Sequence, residues 1–182
     1  MEFCELDIKD ILLIKPDLHK DERGYLYESF NKSFFNKYIK SDISFIQDIH
    51  SYSRCNVIRG LHYQLAPKAQ AKLVRVIKGD IFNVAVDLRK NSPSFGCWVG
   101  QVLSKKNRFQ MWIPEGFANG FLVLTNDAEI IYKVTEKYSP QFERCILWND
   151  NILGIKWPLN NKPIISQRDA LGVSFHNAEV YI

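Results

Sequence analysis

Few residues of this sequence could carry acid–base chemistry, and one of them stands out by its surroundings. The sequence has four histidines, and His62 lies in the strand-like run Arg59-Gly60-Leu61-His62-Tyr63-Gln64, which is unusually polar between apolar neighbours. A strand histidine most often satisfies its hydrogen bonds at the core or the rim. An imidazole that is largely neutral at pH 7 can also act as a general base. Both interpretations stay open for His62 on this pattern alone.

Two further side chains allow a structural and a chemical interpretation. Lys72 shares strand parity with Val74 and Val76, which predicts that it points into the same interior; a lysine at a strand end more often reaches out to water. Tyr132 lies between Ile130 and Val134 on one face of a strand, where a tyrosine ordinarily packs its ring and hydrogen-bonds its hydroxyl. An interior lysine is rare enough to suggest a site.

Common nucleotide and metal sites are absent from the sequence. It has no GxxxxGK[ST] and no GxGxxG motif, so a nucleotide would have to be held by side chains. Many small barrels bind metal through HxH and PxGxxH motifs, but the corresponding stretches are His62-Tyr63-Gln64 and Pro114-Glu115-Gly116-Phe117-Ala118-Asn119. Amides replace two of the imidazoles, and amides are weak ligands for transition metals. We therefore expect no metal.

The composition describes a globular chain that can build its own core. Its 182 residues are 46% hydrophobic and 24% charged, which excludes disorder, coiled coil and collagen. The formal charge of +4 is too small and too scattered to indicate nucleic acid, but it suits an anionic small molecule. No repeat or linker divides the chain, so we predict a single domain over residues 1–182.

The termini and the cysteines predict a cytoplasmic location. No apolar run approaches the roughly 18 residues that cross a bilayer, and the N-terminus carries acids where a signal peptide has basic residues. We expect no membrane partner. The four cysteines are far apart and lack metal-finger spacing, as expected for unpaired thiols in a reducing compartment.

Short runs with a period of two dominate the sequence, and turn signals separate them. This pattern predicts an all-β antiparallel barrel or sandwich with short peripheral helices. One helix is expected over Lys32–Ile39, with Asn31 as its cap, and the segment from Leu153 to Ile182 should form loops and short helical turns. The predicted strands are Ile11–Ile14, Tyr25–Phe30, Ile43–His50, Val57–Gln64, Lys72–Ile77, Ile81–Leu88, Cys97–Leu103, Phe109–Ile113, Phe117–Thr125, Ile130–Thr135 and Arg144–Trp148.

A string of motifs in fixed order resembles the dTDP-4-dehydrorhamnose 3,5-epimerase family over nearly the whole chain. The motifs are Asp21-Glu22-Arg23-Gly24, Arg59-Gly60-Leu61-His62-Tyr63-Gln64, Gln70-Ala71-Lys72-Leu73-Val74, Val84-Ala85-Val86-Asp87-Leu88-Arg89, Ser92-Pro93-Ser94-Phe95-Gly96, Trp112-Ile113-Pro114-Glu115-Gly116-Phe117-Ala118, Tyr132-Lys133-Val134-Thr135, Trp148-Asn149-Asp150 and Ser166-Gln167-Arg168-Asp169. The resemblance implies a cupin-like jelly roll, usually a homodimer that exchanges N-terminal strands. It also implies that the enzyme acts on a nucleotide-diphosphate sugar without a metal or redox cofactor.

The resemblance also implies roles for individual residues. His62 matches the family's base, Asp169 its orienting partner and Tyr132 its acid, while Lys72 matches the residue near the substrate carbonyl. The positions expected to bind substrate are Arg23, Glu28, Gln47, Arg59, Asn119 and Tyr138. These roles fit the reaction, because a C4 ketone acidifies the hydrogens at C3 and C5, and inversion needs a base on one face and a proton donor on the other.

Three positions depart from the family pattern, and one spacing is awkward. Asn119 stands where histidine is usual, Ile49 where asparagine is usual and Leu26 where an aromatic is usual. Arg59 and His62 have opposite strand parity, so we expect a bulge at Gly60 to bring them to one side.

Several alternatives remain open from the sequence. One is an epimerase that inverts only C3 or only C5, or a ketoisomerase, acting on a related dTDP or GDP sugar. Another is a cupin that binds a sugar nucleotide without catalysis, against which the joint presence of His62, Tyr132 and Asp169 counts. A metal-dependent cupin enzyme ranks behind both.

Overall fold

The computed structural model describes residues 1–182, and its architecture is two antiparallel sheets packed face to face. One sheet has the strand order β1-β2-β10-β7-β12-β5 and the other β13-β6-β11-β8-β9, while β3 and β4 form a separate hairpin. The strands are β1 Glu2–Glu5, β2 Leu12–Lys15, β3 His19–Asp21, β4 Gly24–Leu26, β5 Gln47–Arg54, β6 Ile58–Gln64, β7 Lys72–Lys78, β8 Asp80–Asp87, β9 Trp98–Ser104, β10 Gln110–Ile113, β11 Phe117–Val123, β12 Asp127–Val134 and β13 Glu143–Cys145.

The main core lies between the two sheets. Alternate residues of the facing strands supply it, among them Val74, Ile81, Met111, Phe121 and Ile130, all buried. Burial of alternate side chains is what the period of two in the sequence requires. The prediction of an all-β antiparallel barrel is therefore confirmed.

The helices are short and peripheral, as predicted. Helix α1 spans Lys32–Ile39, and the side chain of Asn31 caps it by accepting a hydrogen bond of 3.1 Å from the amide of Phe34. Helix α2, Gln167–Ala170, and one turn of 3₁₀ helix, Phe175–Asn177, lie in the C-terminal segment. No helix combines the length and the apolar character needed to cross a lipid bilayer.

Three of the predicted strand ranges were wrong because they extend three or four residues beyond the observed strand. Strand β4 ends at Leu26 rather than Phe30, and Phe30 instead packs its ring against Phe35 and Phe45. Strand β5 begins at Gln47, because the side chain of Asn36 hydrogen-bonds both backbone groups of Ile43 and takes that residue out of the ladder.

The third wrong range is near the C-terminus, where β13 ends at Cys145 and Ile146 makes only an isolated bridge to Val173. Strands β1 and β3 were not predicted, since both are short and lack an alternating pattern.

Strand β6 contains the irregularity expected at Gly60. Asn119 of β11 pairs with His62, but the next paired residue of β11, Phe121, faces Arg59, so three steps on β6 match two on β11. Gly60 has φ +117°, and a Cβ there would come within 2.6 Å of the Cα of Gly120. The bulge turns Arg59 and His62 to the same side of the strand.

Candidate active site

A small cavity between the sheets is lined by most of the residues that the sequence predicts to be catalytic. Strands β6 and β11 of one sheet and β7 and β12 of the other line it, so its walls come from both layers. Its polar lining residues are Arg59, His62, Lys72, Asn119 and Tyr132. The remaining walls are Val74, Gly120, Phe121 and Ile130.

His62 forms a hydrogen-bonded pair with Asp169. Its Nε2 lies 2.8 Å from Oδ1 of Asp169, and the imidazole is about a quarter exposed whereas the carboxylate is buried. Because a carboxylate can only accept a hydrogen bond, Nε2 carries the proton in the neutral ring. Nδ1 therefore holds the free electron pair, and the pair has the arrangement of a general base oriented by a carboxylate.

Asp169 is positioned by the N-terminus of helix α2. The Oγ of Ser166 caps this helix by accepting a hydrogen bond of 3.1 Å from the amide of Asp169. Burial favours the neutral carboxyl, but hydrogen bonds from His62 and from the amide of Gly60, the latter 3.1 Å long, hold the pKa of Asp169 below its ordinary value. The carboxylate is thus ionised at neutral pH and stabilises a positive charge on His62.

Lys72 and Tyr132 lie on neighbouring strands of the sheet opposite His62. Burial lowers the pKa of Lys72 to about 8, so the ammonium is charged at neutral pH but loses its proton more readily than a surface lysine. Burial raises the pKa of Tyr132, and the charge of Arg59 opposes the rise only in part. The phenol is therefore protonated at neutral pH and able to donate.

Arg59 is fixed by hydrogen bonds to residues of β5, and Asn119 by hydrogen bonds to residues of β8. Arg59 donates from Nε to Oγ of Ser53 and from Nη2 to the carbonyl of Tyr52, at 3.0 and 3.2 Å. Asn119 donates from Nδ2 to Oδ1 of Asn83 and to the carbonyl of Val84, at 3.1 and 2.9 Å. Its Oδ1 therefore remains available as an acceptor.

Four residues predicted to bind substrate do not line this cavity in the single chain. Arg23 lies in the β3–β4 hairpin, with its side chain 91% exposed and paired to Asp21. Glu28 and Gln47 are exposed, the former accepting a hydrogen bond from Asn31.

Tyr138 is also outside the cavity, where it joins a surface cluster beside helix α2. Its hydroxyl donates to Oε2 of Glu143 at 2.8 Å, and Glu143 forms an ion pair with Arg168. Arg168 precedes Asp169 directly, so this cluster ties strand β13 to the helix that carries the carboxylate.

Sequence reasoning missed three groups at the site. The amide of Gly60 binds Asp169, which no pattern of side chains reveals. Ser166 was only part of a family motif, although Ser-x-x-Asp is itself a signature of a helix start. The thiol of Cys145 lies near His62 and Asp169, and this was missed because the three residues are far apart in sequence.

The family model described as dTDP-4-dehydrorhamnose 3,5-epimerase matches residues 5–177 of the chain. The chain belongs to this family. The dTDP-4-dehydrorhamnose 3,5-epimerase of Shigella flexneri is 48% identical over 182 residues, which cover the full length of both chains. The predicted membership of this epimerase family, and hence of a group of isomerases, is confirmed.

Solved structures of epimerases share the fold. The dTDP-6-deoxy-D-glucose-3,5-epimerase of Legionella pneumophila in complex with dTDP-4-keto-L-rhamnose superposes with a TM-score of 0.95 and 41% identity, covering 98% of this chain and 94% of that one. The predicted cupin-like jelly roll is confirmed by this likeness.

A third relative is a double variant of the 3'-monoepimerase ChmJ of Streptomyces bikiniensis in complex with dTDP. It is 29% identical with a TM-score of 0.89, and the match covers 93% of this chain and 85% of that one. Its two substitutions replace a histidine and a tyrosine that are as far apart in sequence as His62 and Tyr132.

Proposed function

We propose that this protein inverts C3 and C5 of dTDP-4-dehydro-6-deoxy-D-glucose to give dTDP-4-dehydro-L-rhamnose. The observation that carries the proposal is the cavity in which the His62–Asp169 pair faces Lys72 and Tyr132 across the two sheets. A base, a cation and a protonated phenol around one space are the groups that epimerisation next to a ketone requires. Membership of the epimerase family supports the same substrate class.

His62 is assigned as the base in this reaction. Its Nδ1 removes the hydrogen from the carbon next to the C4 ketone, and the electron pair of that C–H bond moves onto the ketone oxygen as an enolate. Asp169 stabilises the imidazolium that results and holds the ring in place. The same base serves both carbons in turn, because the C4 ketone acidifies C3 and C5 alike.

Lys72 and Tyr132 complete the proton transfer. The ammonium of Lys72 stabilises the negative charge on the enolate oxygen. Tyr132 then donates its phenolic proton to the carbon from the face opposite the base, which inverts the centre as the enolate electron pair forms the new C–H bond and the ketone returns. Solvent then reprotonates the phenolate and takes the proton from the imidazolium of His62, so that the base is ready for the second carbon. No metal and no redox cofactor enters these steps.

Binding of the nucleotide part is assigned to the cations and amides around the cavity. The guanidinium of Arg59 lines the cavity and offers two nitrogen donors to a diphosphate oxygen pair. The free Oδ1 of Asn119 accepts a hydrogen bond from a sugar hydroxyl. Gln47, the first residue of β5, and Tyr138, after β12, lie outside the cavity of the single chain, and no substrate contact is assigned to them.

Arg23 and Glu28 reach a binding site only if another chain brings them there. The β3–β4 hairpin is a two-stranded sheet of its own, and Arg23, Tyr25 and Leu26 are exposed on it. We infer a homodimer in which each hairpin reaches the cavity of the partner chain. Such an enzyme acts on a sugar nucleotide that is dissolved in water, and we therefore assign it to the cytoplasm. We assign it no membrane partner and no nucleic-acid partner.

Heavy water distinguishes the proposal from its alternatives. We would incubate the protein with dTDP-4-dehydro-6-deoxy-D-glucose in D₂O and follow C3 and C5 by proton NMR, with His62→Asn as the matched control. Deuterium at both carbons with inversion at both supports the proposal. Exchange at one carbon alone indicates a monoepimerase, the activity named for the Streptomyces bikiniensis relative.

The same experiment tests the remaining alternatives. A shift of the ketone from C4 to C3 indicates a ketoisomerase, and binding without any exchange in the wild type indicates a protein that only binds sugar nucleotides. Competition by dTDP but not by GDP is expected if the nucleotide is thymidine; the reverse preference would assign a GDP sugar.

A further inference from the structure

A third potential metal ligand lies beside the His62–Asp169 pair and has no part in the epimerisation. It is Cys145, the last residue of β13, which pairs directly with His62 on β6. The thiol sulfur, an imidazole nitrogen of His62 and a carboxylate oxygen of Asp169 all lie within 4.8 Å of one another. The backbones of β6, β13 and α2 thus bring three different ligand types to one point.

We propose that Cys145, His62 and Asp169 form a binding site for zinc, and that zinc bound there inhibits the epimerase by taking its base. The binding part of this proposal stands on the geometry of the three side chains. The inhibitory part rests on the role of His62 under the proposed function. The ion is an inhibitor in this proposal, and the reaction itself does not need it.

The three ligands match the coordination chemistry of zinc. Zinc binds cysteine sulfur at about 2.3 Å, histidine nitrogen at about 2.0 Å and carboxylate oxygen at about 2.0–2.2 Å. Ligand atoms of a tetrahedral site at such bond lengths are about 3.3–3.7 Å apart. The thiol sulfur therefore needs to move inward by at most about 1.5 Å. The 2.8 Å between Nε2 of His62 and Oδ1 of Asp169 needs to widen by about 0.5 Å. Water would fill the fourth position.

The position of the thiol also gives the ion a route to the site. Cys145 is half-buried and lines a hollow on the outer surface between β13 and helix α2. Gln167, Arg168 and Gly172 are among the other walls of this hollow, and none of its residues lines the cavity with Lys72 and Tyr132. An ion in this hollow would therefore approach Cys145 from the outer surface rather than through the substrate cavity.

Binding of zinc removes both features that make His62 a base. The Nε2 that donates to Asp169 would become a metal ligand, so the orienting hydrogen bond is lost. The positive ion also withdraws electron density from the ring, which weakens Nδ1 as a proton acceptor. The other cysteines, Cys4, Cys55 and Cys97, are not part of this cluster and provide a natural control.

Cobalt(II) is the probe for binding, because cobalt bound to a thiolate gives a charge-transfer absorption band in the near ultraviolet. Metal-free protein would be titrated with cobalt chloride as wild type, as Cys145→Ser, and as a triple variant in which Cys4, Cys55 and Cys97 are replaced by serine. We expect the band in the wild type and the triple variant and its loss in Cys145→Ser. A band that persists in Cys145→Ser would overturn the site.

Zinc inhibition is measured on the same three proteins. We expect zinc to inhibit the wild type and the triple variant reversibly, with recovery on addition of EDTA, and Cys145→Ser to need at least about tenfold more zinc. Equal inhibition of Cys145→Ser would show that zinc acts elsewhere. A protein that shows the cobalt band but no epimerase activity would contradict the proposed function while leaving the metal site intact.

A second variant covers the case in which Cys145→Ser does not fold. His62→Asn keeps the thiol and removes the imidazole, so it should retain a cobalt–thiolate band with at least about tenfold weaker binding. Unchanged cobalt affinity in His62→Asn would show that the thiol binds the ion without the histidine, and the three-residue site would be rejected.

Discussion

Tyr132 is the residue that tests the mechanism most directly. If His62 removes a proton and Tyr132 returns one from the other face, Tyr132→Phe should keep abstraction but lose inversion. The variant lacks one hydroxyl on a ring that packs against the main core, so its stability should change little. We would measure deuterium uptake and stereochemistry at C3 and C5 in D₂O.

Tyr138→Phe is the matched control for this experiment. Its hydroxyl binds Glu143 outside the cavity, so the variant should exchange and invert both carbons. Full inversion by Tyr132→Phe would instead assign proton delivery to another group, and loss of inversion in Tyr138→Phe would point to Tyr138 as that group.

The lowered pKa of Lys72 predicts that the activity falls at alkaline pH. Its pKa is lowered to about 8, so the ammonium that stabilises the enolate is present below this pH and is lost as the pH rises through it. The value of kcat/KM should therefore decline above about pH 8, by roughly tenfold per pH unit. A pH–rate profile of the free enzyme measures this limb.

Two variants test whether Lys72 causes the decline of kcat/KM at alkaline pH. Lys72→Arg keeps its charge at every accessible pH and should move the decline upward by at least about two pH units, even if its activity is low. Lys133→Met is the surface control, because Lys133 pairs with Asp48 on the outside of the sheet, and it should retain the limb of the wild type. A decline near pH 8 in Lys72→Arg would assign it to another group.

At the level of single residues, the sequence predicted the cavity well where side-chain type and strand parity carried the information. His62, Lys72 and Tyr132 do line one cavity. The sequence could not predict that Tyr138 would bind Glu143 outside it, because two polar side chains five residues apart have many alternative partners. Nor could it predict the contact of Cys145 with the base, which depends on the pairing of β6 with β13.

At the level of elements, the bulge in β6 makes a prediction about stability. Gly60→Ala would place a Cβ 2.6 Å from the Cα of Gly120 and 2.7 Å from the carbonyl oxygen of Asn119, at a φ that L residues rarely adopt. Both neighbours are backbone, so nothing can move aside cheaply. We expect a loss of about 3 kcal/mol or more in the free energy of unfolding.

Gly154→Ala is the matched control for this variant. Gly154 also has a positive φ, +56°, but its nearest atom is 3.8 Å from the Cβ position. Its cost should be about 1 kcal/mol, from the backbone conformation alone. Urea denaturation of both variants measures the difference, and equal losses would show that close packing at Gly60 is not the cause.

The elements also show what local sequence patterns can and cannot determine. Helix α1 was predicted residue for residue, because its cap and its apolar spacing are both local. The start of β5 was wrong because the side chain of Asn36, seven residues before Ile43, takes the hydrogen bonds that a ladder would need. Strand ends depend on such competing partners, and periodicity does not contain them.

For the whole molecule, the exposed hairpin predicts complementation between inactive chains. In the proposed dimer, each cavity combines the base of one chain with the hairpin of the other chain. Arg23→Ala would remove the hairpin's contribution to binding, and His62→Asn would remove the base. Mixed after unfolding and refolding, the two variants should recover about a quarter of the wild-type activity, since half of the dimers are mixed and each has one intact site.

The control for complementation pairs two variants of the same cavity. His62→Asn with Tyr132→Phe should recover no inversion, because both residues line the cavity of one chain and no mixed dimer has an intact site. Absence of recovery in the first mixture would mean that Arg23 acts within its own chain or has no part in the reaction.

The bulge in β6 also limits how the sequence of this protein can change during evolution. Three steps on β6 face two on β11 between the arginine and the histidine of the cavity. If the ladder became regular at the present spacing, Arg59 would turn to the opposite face, whereas deletion of one residue between the two would remove the bulge and leave both side chains on one face. Among distant descendants the spacing should therefore change only together with the bulge, to a regular ladder that is one residue shorter, even where few of the same side chains are kept.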